Sequence, residues 1–275
     1  IFEEIKMRKD DPSLYILDKL NEVLYEKPFG ISLIGDFDTL ACLDRKRLVD
    51  RFKEVYSPNN LILCVVGDAD FNDILGFAEK NFGKSKGKVR EFEIKEKNII
   101  KIEKRKGIDQ AKLIFAYHVP TLPDKSAYAA EVLSALMGSG MSSRLFIEIR
   151  EKRNLAYAIA GASEINKDFA YNVVHAGTTK ENIEKVKEII IKEFDKVAKS
   201  LDEKELNQVK EQIIGNHQIA MEDSTIQMTN LLLHEANNDI KNCYDFEKNI
   251  KAVKLNDVKE LAKIKKYSFF ALVPE

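Results

Sequence analysis

Apolar residues recur along this chain with two different periods, and the points where the period changes delimit its elements. From Asp11 onward, Leu14, Leu17, Leu20 and Leu24, with Ile16 and Val23 beside them, recur three and four apart and form one helix face. Asp11-Pro12 supplies an N-cap residue and a first-turn proline, and Pro28 marks the stop. A second helix is predicted over 44–56, ended by the turn cluster Ser57-Pro58-Asn59-Asn60, and a third over 71–82. Between them LILCVVGD (61–68) is a continuous apolar run between turn signals, which predicts a buried strand.

Residues 83–88, Gly-Lys-Ser-Lys-Gly-Lys, break the alternation with small and cationic residues. A linker set at 84–92 divides the chain into domains 1–83 and 93–275. Beyond it the pattern predicts a strand over 111–119 and a helix over 125–137. A Gly138-Ser139-Gly140 hinge then leads into a helix carrying Leu145, Phe146, Ile149 and Arg150. Strands follow at 156–163 and 170–176, helices at 180–198, 202–236 and 244–263, and a last strand at 267–273. Hairpin-like and helix-linked strands are mixed, so the fold class is α+β, with helices packed on a sheet.

The two halves repeat. LDRKRLVDRFKEVYSPNNLILCVVGD from Leu43 and LNDVKELAKIKKYSFFALVPE from Leu255 each read as cap, amphipathic helix, break and apolar strand. Upstream, EEIKMRKDDPS from Glu3 pairs in the same order with HQIAMEDST from His217. A duplication of this length predicts that its first copy begins more than about a hundred residues before Ile1. On that expectation 1–83 is the back part of a first domain, and 93–275 is a complete second one.

Charge narrows the function. Lys+Arg is 44 against 45 Asp+Glu, a net charge of −1, which gives no global attraction to nucleic acid or an anionic membrane. No apolar run reaches membrane-spanning length. Cys42, Cys64 and Cys243 are odd in number and contain no CxxC pair. They point away from a disulfide framework or thiolate zinc site and toward a reducing, cytoplasmic compartment. Among His118, His175, His217 and His234 no two have metal-motif spacing, and His234-Glu235 reads as a structural or surface pair.

SSRLFIEIREKRNLAYAIAG (142–161) sets Arg150 near the end of a helix and Tyr157 on the strand after it. Together with IFEEIKMRKDDP (1–12) and FKEVYSPNNLILCVVGD (52–68), in that order, it resembles the pitrilysin/insulinase-type zinc peptidases, or inverzincins. That group includes the mitochondrial processing peptidase subunits. The resemblance implies repeated domains, each a mostly antiparallel sheet covered by helices on one face, the first incomplete here. It also implies zinc held by an H-x-x-E-H motif in the first repeat, which is absent from these residues. A downstream carboxylate completes the family's ligand set, and the matching position is Glu4. Gln218 stands at the corresponding place in the second repeat. Arg150 and Tyr157 match residues that hydrogen-bond the substrate carbonyl, where negative charge grows in the tetrahedral intermediate.

The activity implied is zinc-dependent hydrolysis of internal peptide bonds in short or unfolded polypeptides, with this chain inactive by itself. The alternative is a non-catalytic subunit lending Arg150 and Tyr157 to a zinc-bearing partner; homodimer and heterodimer are both compatible with these residues. A pure peptide-binding or assembly domain is the third reading.

Overall fold

The computed structural model describes residues 1–83, 86–87, 91–122 and 124–275. Of the predicted linker, residues 84, 85 and 88–90 lie outside the described residues. The chain forms two compact units, one of Ile1–Gly35, Ile94–Gly215 and Asp245–Glu275, the other of Asp36–Glu93 and Asn216–Tyr244.

In the first unit, α1 (Phe2–Asp10) and α2 (Pro12–Leu24) are separated by Asp11. The Asp11 carboxylate accepts the Ser13 and Leu14 amides at 2.7 and 3.2 Å, satisfying donors the first helical turn leaves unpaired. The buried stripe of α2 is Ile16, Leu20, Val23 and Leu24, whereas Leu17 of the predicted face is exposed.

Among the described residues, five strands form one sheet. They are β1 (Ile100–Arg105), β2 (Ala111–His118), β3 (Ala156–Ile165), β4 (Ala170–Thr178) and β5 (Ser268–Pro274), in the order β1-β5-β2-β4-β3. Only β1 and β5 run parallel, so the sheet is mostly antiparallel, within an α+β fold. Alternation divides β2, β4 and β5 between two cores. Leu113, Phe115 and Tyr117 of β2 and Phe269 and Ala271 of β5 face the larger core. There they meet α6 (Ala127–Gly138), α7 (Ile183–Ser200) and α11 (Leu255–Leu261). Ile114, Ala116, Phe270 and Leu272 point to the other side, where α2 covers them. Buried Ser268 fastens this layer: its hydroxyl donates to the Val23 carbonyl at 2.8 Å and accepts from the Ile99 amide at 3.1 Å.

Gly138 ends α6 directly against β3. A Cβ there would lie 2.6 Å from the Gly161 Cα and still closer to its nitrogen, so helix and strand meet backbone to backbone. Gly140, at φ 80°, makes the turn that follows.

The second unit holds α3 (Phe37–Ala41), α4 (Arg45–Val55), α5 (Phe71–Asn81) and α9 (Ser224–Ala236). Asp44, Asp70 and Asp223 cap the last three through their carboxylates. The apolar run 61–66 corrects the sequence reading, because it belongs to no sheet and Leu61, Ile62, Leu63 and Val65 are all exposed. A strand needs a neighbour to pair its amides and carbonyls, and among the described residues none lies beside this run. Cys64 comes within 3.8 Å of the Met228 carbonyl, so the run lies against α9.

Two predicted helices are each two. The span 202–236 divides into α8 (Glu203–Ala220) and α9, at the Asp223 cap. The span 244–263 divides into α10 (Ile240–Ala252) and α11. At the second break the buried Lys210 ammonium takes the carbonyls of Lys251 and Val253, at 3.1 and 2.5 Å, that a continuing helix would have used.

Candidate functional site

The helix predicted to carry Arg150 winds as a π-helix over Phe146–Glu151, closed by the Lys152 amide on the Ile147 carbonyl at 2.9 Å. Such wide turns are rare and recur at functional sites. Leu145 and Ile149 anchor it in the larger core. Just before it, Arg144 reaches Glu205 through Nε at 2.7 Å and Glu193 at 3.9 Å. The Glu205 hydrogen bond raises the Arg144 pKa above its ordinary value, so this tie to α7 and α8 stays charged.

Charge is partitioned at the far end. Glu148 accepts from Lys152 and from Arg153 at 2.5 Å each, and Arg153 also donates to the Glu148 carbonyl at 2.6 Å. Arg150 is left exposed, its guanidinium 4.9 Å from the Phe146 ring centroid, with no side-chain hydrogen bond or ion pair among the described residues.

The Lys152 and Arg153 hydrogen bonds hold the Glu148 carboxyl down at about 2. A folded-state pKa lowered from 4.5 adds stability that is full above that value and disappears as pH falls toward 2. Because both cations face solvent, the contribution is about 1 kcal/mol or less. Glu148→Gln is therefore expected to lower the urea-unfolding free energy by that amount at neutral pH and to match the parent near pH 2. An equal deficit at both pH values would assign the loss to packing instead.

Tyr157 reaches its position through a bulge. Ala156 opposes Thr178 and Ala158 opposes Gly177, so Tyr157 is the extra residue. Ala156 and Ile159 both point into the larger core although three apart, which turns Tyr157 and Ala158 to the opposite face. The Tyr157 ring, 44% exposed, lies over Gly177 of β4, and its hydroxyl meets the Lys112 ammonium of β2. Arg150 and Tyr157 thus belong to one ordered junction, in which the Leu155 amide bonds the Ile149 carbonyl at 2.9 Å, but their side chains share no hydrogen bond among the described residues.

Glu4 stands elsewhere in the same unit, exposed on the first turn of α1. It lines an open cleft of about 530 Å³ with Arg8, Asp18 and Asn21. Arg8 is already paired to Asp18 through Nε at 3.0 Å. Among the described residues no group of three His, Cys, Asp or Glu side chains could hold a metal. One exposed carboxylate beside an arginine does not make a zinc site, so the donor set present does not fit the ion. The cysteines are unpaired, and no helix is long and apolar enough to cross a membrane.

Sequence reasoning missed Lys112 and Gly177. They lie 45 and 20 positions from Tyr157 and meet it only through strand register, for which no short motif exists.

A helix-covered, mostly antiparallel sheet defines the class, an α+β fold. Residues 43–213 match the family model described as the peptidase M16 inactive domain, and the chain belongs to that family. An uncharacterized zinc protease of Bacillus subtilis, YmxG, is 27% identical over 233 residues, which are 83% of this chain and 57% of the relative. One from Rickettsia felis is 28% identical over 229 residues, 81% of this chain and 55% of its own length. The chain thus spans little more than half of these relatives. A protease from Helicobacter pylori has the same fold, with a TM-score of 0.87 at 22% identity, over 99% of this chain and 69% of that one.

Proposed function

We propose that this chain is the substrate-facing part of a zinc-dependent endopeptidase that cuts internal bonds of short or unfolded polypeptides in the cytoplasm. On this reading 1–83 is the latter part of the zinc-side domain and 93–275 the second domain. Arg150 and Tyr157 donate to the scissile carbonyl as it gains negative charge. Glu4 is assigned as one metal ligand, whose partners lie outside these 275 residues. The observation that carries the proposal is the free guanidinium: Glu148 takes both neighbouring cations and leaves Arg150 unpaired at the end of the π-helix.

The test compares this chain with the full-length protein. Full-length protein is expected to bind one zinc and to cut an unstructured, internally quenched peptide away from its ends. The 275-residue chain is expected to do neither. Micromolar or tighter zinc binding by the chain would mean that the ligands are misassigned. Full-length protein that binds no zinc and supports cutting only when a second, zinc-bearing subunit is added would favour the non-catalytic subunit.

A further inference from the structure

The sheet face carrying Tyr157 holds a second pair of residues that the reading above does not use. Lys112 lies directly opposite Gly177 across the β2–β4 ladder, and both point away from the larger core. The Tyr157 ring bridges them. Its centroid is 4.7 Å from the Lys112 Nζ, and that ammonium donates to the phenol oxygen. Lys112 has no carboxylate partner among the described residues. A Cβ at position 177 would stand 2.7 Å from Tyr157 Cε1 and closer still to Cζ and the hydroxyl. Real Cβ atoms do not approach that closely, so the ring occupies the space that a side chain at 177 would fill. His175, on the same face of β4, is held toward its neutral form by burial and then by the Lys112 charge, so it adds no second cation.

We infer that Lys112 and Gly177 are positioning residues for Tyr157, fixing its phenol so that its one O–H is free to donate to a peptide carbonyl. A phenol has a single proton. When its oxygen accepts from a fixed ammonium, that proton turns outward, away from the lysine. Gly177 leaves the space over β4 in which the ring reaches the lysine. The inference rests on the proposed role of Tyr157 for its catalytic meaning, but the placement is testable without catalysis.

Two measurements on this chain test the placement. In urea unfolding, Gly177→Ala is expected to lower the midpoint when Tyr157 is present and to leave it unchanged in a Tyr157→Ala background. Equal shifts in both backgrounds would overturn the steric role of Gly177. With 13C-labelled tyrosine, Lys112→Met is expected to move the Tyr157 Cζ resonance, identified by its loss in Tyr157→Phe. Lys112→Arg should return it part of the way, and an unmoved resonance would overturn the lysine contact.

In zinc-bearing full-length protein, Lys112→Met is expected to lower kcat about 10- to 100-fold with KM nearly unchanged. Combined with Tyr157→Phe it should cost no more than Tyr157→Phe alone. Losses that multiply would mean that the lysine acts separately. Should Tyr157→Phe itself cleave at the parent rate, the substrate role of Tyr157 falls, and the two measurements on the chain still decide the placement.

Discussion

Arg150→Ala in the zinc-bearing full-length protein is expected to lower peptide hydrolysis roughly 10²–10³-fold, about 3–4 kcal/mol, with zinc content and melting temperature unchanged. Arg150 is solvent-exposed and bonded to no other side chain among the described residues, so its removal leaves nothing unpaired. Neither core loses packing, because Ile149 and Leu145 do the anchoring. A loss that appears in kcat and not in KM marks an interaction made as charge develops on the carbonyl. Tyr157→Phe should follow the same pattern with a loss no larger than that of the arginine, since it removes a neutral donor where Arg150 is charged. Glu4→Gln should differ by losing metal together with activity. Paired measurement of bound zinc and hydrolysis separates these roles, and Arg150→Ala cleaving at the parent rate would take the guanidinium out of the reaction.

Phe270→Ala is expected to cost about 3–5 kcal/mol of unfolding free energy. Phe270 is fully buried between the sheet and α2, packed with Ile16, Leu20 and Leu272, and its ring centroid lies 6.3 Å from that of Tyr15. Removing the ring opens a cavity between a helix and a strand more than 200 residues apart in sequence, which those elements can fill only by shifting together. Ile102→Ala, on exposed β1, is the control and should stay within about 0.5 kcal/mol. A cost for Phe270→Ala below about 1 kcal/mol would mean that α2 does not cover this face.

Legibility in the sequence followed the range of the interactions. Helices set by local periodicity and an aspartate cap came out within a residue or two at α4 and α5, whereas α2 begins at its cap but stops at Leu24, short of Pro28. The break between α8 and α9 was legible but unread. Asp11 and Asp223 stand 212 positions apart, each capping a 13-residue helix, so the repeat already contained it. By contrast the end of α10 depends on Lys210, some forty positions away, and no window along the chain contains both. The run 61–66 has every local mark of a strand, but local marks cannot supply the neighbouring strand that pairing requires. β1 went unseen for the opposite reason. Its Ile100 and Ile102 are exposed, so it lacks the buried face that periodicity detects. At the site, the helix-to-strand junction of Arg150 and Tyr157 is written in consecutive residues, whereas the floor beneath Tyr157 exists only once β2, β4 and β3 are in register.

The glycine pair joining α6 to β3 has a mechanical meaning that its composition disguises. Gly-Ser-Gly after a helix suggests a pivot, yet Gly138 rests on the backbone of Gly161 with no side chain between them to compress or rotate. The end of the helix therefore clamps the outermost strand at its midpoint, with the ladder to β4 holding its other side. Displacement of that strand is then borne at its first residues, where the bulge interrupts the ladder and Tyr157 projects. A larger side chain at either glycine would lift the clamp, and the tyrosine four residues from Gly161 would register the loss of stiffness through its bearing on the sheet.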